Sequence, residues 1–150
     1  MIGVPCISGS RTVPNLYVMG PNGENTRQLT FEQDADWYPT VLADGKIMYL
    51  RWEYTDIMHY YSRIMMTMNP DGTNQRSVYG SQSLWPNAMF NARPLPGEPG
   101  RFVAVVSGHH GVSGTGKLTI FDTNKGFAHA DGVVQHMPGW GKKVTHVTVD

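Results

Sequence analysis

Leu16-Tyr17-Val18-Met19-Gly20-Pro21-Asn22-Gly23, followed by Arg27, returns as Ile64-Met65-Met66-Thr67-Met68-Asn69-Pro70-Asp71-Gly72, followed by Arg76. Gly23 to Gly72 and Arg27 to Arg76 are the same 49-residue step. A looser third copy is Leu118-Thr119-Ile120-Phe121-Asp122-Thr123-Asn124-Lys125-Gly126. Self-similarity at such a step marks a chain built from repeated supersecondary units, each unable to bury its own apolar faces alone.

The unit has strand chemistry. Its apolar residues come in short runs broken by turns, and no stretch sustains a helical apolar period. Asn22-Gly23, Asp44-Gly45 and Asp71-Gly72 read as two-residue hairpin signals, because Asn or Asp before Gly accepts the positive φ angles of a type I′ turn. Trp37 to Leu42, the Asp44-Gly45 turn and Lys46 to Leu50 make one hairpin. The corresponding place in the next copy holds Leu84-Trp85-Pro86 and then Phe102 to Ser107, with a longer Pro/Gly connection from Pro94 to Gly100. Trp37 and Trp85, near Pro39 and Pro86, are expected to begin the innermost strand of each unit and pack between units. The expected fold is all-β: a partial β-propeller of two to three four-stranded antiparallel blades. An N-terminal extension covers 1–14. The propeller segment covers 15–137, as a blade portion at 15–30 and blades at 36–80 and 84–137, and 138–150 begins the next blade or a linker. Lys142 to Asp150 reads as a strand that begins and stops, so the chain is expected to be a fragment.

Composition narrows the function. Hydrophobic residues are 40% and charged residues 16% of the 150, which describes a globular chain rather than a disordered tail. Formal net charge is zero and no basic stripe is present, so nucleic acid is not an expected partner. No apolar run is long enough for a membrane span. The single cysteine, Cys6, can form neither an internal disulfide nor a zinc ribbon nor a CxxCH haem attachment.

Tyr17-Val18-Met19, then Asn22-Gly23, then Arg27-Gln28-Leu29-Thr30 resembles the TolB-like (PD40, WD40-like) β-propeller repeat. A second resemblance spans roughly residues 34–140. It rests on Asp34 to Pro39, Arg51 to Asp56, His59 to Arg63 and Ser107 to Gly111. These are similar to the middle domain of hydrazine synthase alpha-subunit-like proteins, exported propeller proteins of bacteria. The resemblance implies a periplasmic or secreted location, although Met1 to Ser10 lacks the layout of a signal peptide. The hydrazine synthase subunit itself carries c-type haem, so the resemblance allows haem in a parent protein, while within this chain, which has no CxxCH, no cofactor is expected.

Two clusters invite a functional reading. Arg51 to Arg63 is long for a hairpin connection and dense in Arg51, Glu53, Tyr54, Asp56, His59 and Arg63. Such residues on a loop held by a rigid sheet bind ligands or, alternatively, seal a rim through ion pairs and aromatic packing. His109-His110 lies between Gly108 and Gly111. Adjacent residues on a strand face opposite ways, so only a turn would converge the imidazoles on a metal or haem iron. Hydrogen-bonded structural histidines are the other reading, and no metal site is assigned. Gly114-Thr115-Gly116-Lys117 is not a phosphate loop, since a strand rather than a helix follows. Ser107 lacks a GxSxG elbow. The nine methionines read as core filler. Two functions therefore stand. One is a non-catalytic propeller module contacting ligands, protein partners or the remaining blades of a parent chain. The other is the middle domain of a hydrazine-synthase-alpha-like haem oxidoreductase.

Overall fold

The computed structural model describes residues 3–5, 12–52, 63–81, 83, 85–86, 88–107 and 116–137. The regular structure of these residues is all strand, and none of their segments is a helix long and apolar enough to cross a membrane. Two short pairs come first: β1 (Gly3–Pro5) with β2 (Thr12–Pro14), and β3 (Tyr17–Val18) with β4 (Arg27–Gln28). The stretch expected as an N-terminal extension thus contains a strand pair of its own. Two four-stranded antiparallel sheets follow. The first holds β5 (Ala35–Val41), β6 (Ile47–Trp52), β7 (Arg63–Met68) and β8 (Arg76–Tyr79) in chain order. The second holds β9 (Ala88–Pro94), β10 (Arg101–Ser107), β11 (Lys117–Asp122) and β12 (Val133–Met137), also in chain order.

The turns differ from the type I′ expectation in an instructive way. Gly23 N–H bonds the Gly20 carbonyl at 2.9 Å, while Gly20 N–H bonds the Glu24 carbonyl at 2.8 Å. The pattern recurs between Asn69 and Thr73 and between Leu42 and Lys46. Each is a three-residue loop in which only the glycine has positive φ: +83° at Gly23, +82° at Gly45 and +90° at Gly72. This is a type I turn closed by a glycine bulge. Pro21 and Pro70 suit it, because a proline φ near −65° presets the first central position of a type I turn, and Ala43 takes the same place in the third loop. The Asn or Asp carries out a different task from the one expected. Its side-chain oxygen accepts the N–H two residues on, at 3.2 Å for Asn22, 3.1 Å for Asp44 and 2.9 Å for Asp71.

A second repeated device is invisible in the sequence. In β5 the pairing passes from Trp37–Leu50 to Thr40–Met48, so Tyr38 and Pro39 together oppose Tyr49. In β9 it passes from Phe90–Val105 to Arg93–Val103, so Asn91 and Ala92 oppose Ala104. The first residue of each bulge is left-handed, Tyr38 at φ 56° and Asn91 at φ 52°. A bulge bends its strand and increases the local twist, and here both first strands bend alike. The register makes Phe90 the counterpart of Trp37. Trp85, expected in that role, precedes β9 and packs against Phe121, with ring centroids 6.1 Å apart.

The layers stack face to face. Met48, Leu50 and Met65 point from the first sheet into a core shared with Met89, Phe90, Phe102, Ala104, Val106 and Phe121 of the second. Tyr49, Ile64, Met66 and Met68 alternate with them and meet Leu16 and Leu29 of the β3–β4 layer. The first sheet is therefore buried on both faces, which is why β7 is buried from Ile64 through Met68. Tyr79 fastens the layers at one edge. Its hydroxyl donates to the His129 carbonyl at 2.7 Å and accepts from Gly132 N–H at 3.0 Å.

Gly45 and Gly72 separate turn strain from layer contact. A Cβ at Gly45 would meet nothing within 4 Å, whereas at Gly72 it would lie 3.0 Å from the Leu29 carbonyl oxygen. Gly45→Ala is expected to cost about 1–2 kcal/mol, the left-handed penalty for an L-residue. Gly72→Ala should cost clearly more, because it also forces the β3–β4 layer away. Urea denaturation of both variants measures the difference.

Candidate functional site

Of the residues singled out in the sequence, Arg51 and Arg63 lie within the described structure. Glu53, Tyr54, Asp56, His59, His109 and His110 lie outside it. Neither arginine is on a loop: Arg51 belongs to β6 and Arg63 opens β7. Arg51 pairs across the ladder with Ile64, and Arg63 pairs with Trp52. Residues one apart on a strand face opposite ways, so the two guanidinium groups are on opposite faces of the first sheet.

Arg51 is committed to structure. Its Nε and Nη2 donate to the two oxygens of Asp36 at 2.9 and 3.0 Å, and Nη2 also donates to Gln75 Oε1 at 2.8 Å. Glu32 stands 3.6 Å from Nε, and the guanidinium sits 5.6 Å from the Tyr49 ring centroid. Burial works against the arginine charge, but the hydrogen bonds and charge of Asp36 outweigh it and hold the group above its usual value. Gln75 extends the network by donating to the Leu29 carbonyl at 3.1 Å and the Gly72 carbonyl at 3.0 Å. Asp36, Arg51 and Gln75 thus tie the first sheet to the β3–β4 layer. Arg63 lies over the Trp52 ring at 4.9 Å, and Trp52 meets Trp37 edge to face.

A cleft of about 530 Å³ opens elsewhere, between the turn ends of the two sheets. One wall is the β5–β6 turn, Leu42 to Lys46. The other is the β9–β10 connection, Pro94 to Arg101, and Met48, Val78 and Phe102 supply apolar surface between them. Volume and lining are those of a small-molecule site. Lys46 is paired with Asp44, and Arg101 with Glu98 and Asp122. The hydrogen bond from Arg101 is the main reason Asp122 stays below the usual carboxylate range. Arg76 also lines the cleft and is exposed, and among the described residues it has no carboxylate within 4 Å.

Sequence reasoning missed this cleft, although two of its parts were noticed: the long Pro94–Gly100 connection and the repeated arginine at 76. Among the described residues no three His, Cys, Asp or Glu side chains converge. No family model, curated protein or solved structure matches the chain.

In the ladder, Asp36–Arg51 occupies the register position that Met89–Val106 occupies in the second sheet. Asp36→Ala should destabilise by about 3–5 kcal/mol, since it strands a largely buried charge. The double variant D36M/R51V copies the apolar pair and should regain most of that loss. Chemical denaturation of both variants, monitored by tryptophan fluorescence, checks the order.

Proposed function

We propose that this chain is a non-catalytic module of a β-propeller-type repeat array. Its role is to stack sheet on sheet and present turn-lined clefts for ligand or protein contacts. In the exported bacterial setting that the sequence resemblance implies, this is the work of a binding or scaffold domain.

The observation that carries the reading is a repeated packing relation. The β3–β4 layer lies on the first sheet through Tyr49, Met66 and Met68. The second sheet lies on the first through Ala104 and Phe121, and Ala104, Thr119 and Phe121 hold the register places of Tyr49, Met66 and Met68. The same relation is therefore used twice in succession. The face of the first sheet that meets the second is made by Met48, Leu50 and Met65. Its register counterparts on the second sheet are Val103, Val105 and Leu118. These are only half-buried, with Leu118 at 38% exposure. An interface of this head-to-tail kind closes only when the rotation completes a ring, and otherwise continues until something covers its last face.

The 150-residue chain by itself is expected to self-associate in a concentration-dependent way, followed by size-exclusion chromatography with light scattering. Val103→Lys combined with Leu118→Lys should shift it toward monomer while the thermal unfolding transition stays cooperative. A wild-type chain that remains monodisperse and monomeric at high concentration would overturn the stacking role.

A further inference from the structure

Arg27 and Arg76 are the same residue of the repeat, 49 positions apart, yet they have different employment. Arg27 Nη1 donates to the Asp71 carbonyl at 2.8 Å, so it straps the β3–β4 layer to the β7–β8 turn of the first sheet. At the next interface Arg76 stands in the same relation to the second sheet but makes no such bond, and the cleft lies in its place. The counterpart of the β7–β8 turn in the second sheet is the longer β11–β12 connection, and its Thr123 lines the cleft beside the β9–β10 connection. The β5–β6 turn closes in three residues, whereas Leu95 N–H reaches the Arg101 carbonyl only across a longer loop, with Glu98 N–H bonded back to Leu95. That loop, with Pro94 and Leu95, forms the wall that holds the space open.

The vacated position has definite chemistry. Lys46 is paired with Asp44 and Arg101 with both Glu98 and Asp122, so Arg76 is the cation of the cleft that has no carboxylate partner among the described residues. Around it lie Leu42, Met48, Val78, Leu95 and Phe102. Thr67, in the same wall, is 3% exposed and its hydroxyl has no hydrogen-bond partner among the described residues. A guanidinium fork matches a carboxylate in two parallel hydrogen bonds, better than it matches a neutral amide.

We infer that this cleft binds a small amphipathic carboxylate, its apolar body against Met48, Val78 and Phe102 and its carboxylate on Arg76. The inference stands on the inter-sheet geometry and does not require the array to be a propeller.

The test uses the whole chain with naphthalene-2-carboxylate and naphthalene-2-carboxamide as probes. Affinity is read by titration calorimetry and position by the ¹³C-methyl methionine spectrum. A charge-assisted hydrogen bond should make the carboxylate about ten- to a hundredfold the tighter ligand. Arg76→Gln should remove that preference without lowering the melting temperature. The Met48 methyl resonance should move on titration while that of Met68, on the opposite face of the sheet, stays. Arg27→Gln should lower the melting temperature and leave the affinity as it was. Equal affinity for the two probes, no binding at millimolar concentration or an unmoved Met48 would overturn the inference. So would a loss in Arg27→Gln equal to that in Arg76→Gln, because the arginines would then act through stacking alone.

Discussion

A four-stranded sheet of four- to seven-residue strands has two faces, and in this chain both faces of the first sheet are apolar. Met48, Leu50 and Met65 point one way; Tyr49, Ile64, Met66 and Met68 point the other. Burying one set against a neighbour leaves the other in water, at a cost of about 1.5–3 kcal/mol for each large side chain left exposed. The first sheet is stable only as a middle layer. The remaining features serve that stacking: the bulges at Tyr38 and Asn91 bend the first strands alike, Gly72 allows close approach of Leu29, and Tyr79 ties the second sheet's last connection to the edge of the first.

The two interfaces solve one packing problem with different chemistry. Where the second sheet meets the first, the register position holds Met89 and Val106, both at 0% exposure. Where the first sheet meets the two-stranded β3–β4 layer, it holds Asp36 and Arg51. A two-stranded cover protects less, and Arg51 keeps 12% of its side chain in contact with solvent. There the desolvation cost of a charge pair is lower, and the pair gains hydrogen-bonding reach that methionine and valine lack. Through Gln75 it extends to the Leu29 carbonyl of the thinner layer. The ion pair thus combines a fully buried Asp36 with an Arg51 that reaches the edge of the cover, and its arginine is committed to that network.

Much of this was legible in the sequence. The 49-residue step fixes the equivalence of the two hairpins, and the structure bears it out down to the left-handed residues Asn25 and Asn74, which are 49 apart. Strand chemistry and turn spacing give the all-β class and the four-stranded sheet beginning near residue 36. Sequence reading failed where backbone geometry is conserved without residue identity. Tyr38-Pro39 and Asn91-Ala92 share no chemistry, so the common bulge left no signal, β9 was not recognised and Trp85 was matched to Trp37. The two-residue reading of Asn-Gly and Asp-Gly misses that the residue before each, Pro21, Ala43 or Pro70, is the first central residue of a type I turn. Arg51 and Arg63 looked like partners on one loop, since linear proximity does not show that a ladder sends them to opposite faces.

The cleft was illegible for a related reason: it comes from a mismatch between repeats. A motif reader looks for residues that recur together, and Arg76 recurs faithfully as the partner of Arg27. Its setting differs because the second sheet replaces both three-residue turns, β5–β6 with the Pro94–Gly100 connection and β7–β8 with the longer β11–β12 connection, and the cleft lies beside them. In a stacked array the repeated residues are held in place by the packing they share. New chemistry can then enter most readily where one unit's loop is lengthened and a repeated side chain loses its structural partner. The positive charge at position 76 is supplied by the repeat, and the space beside it by the departure from the repeat. Neither alone would distinguish the second interface from the first.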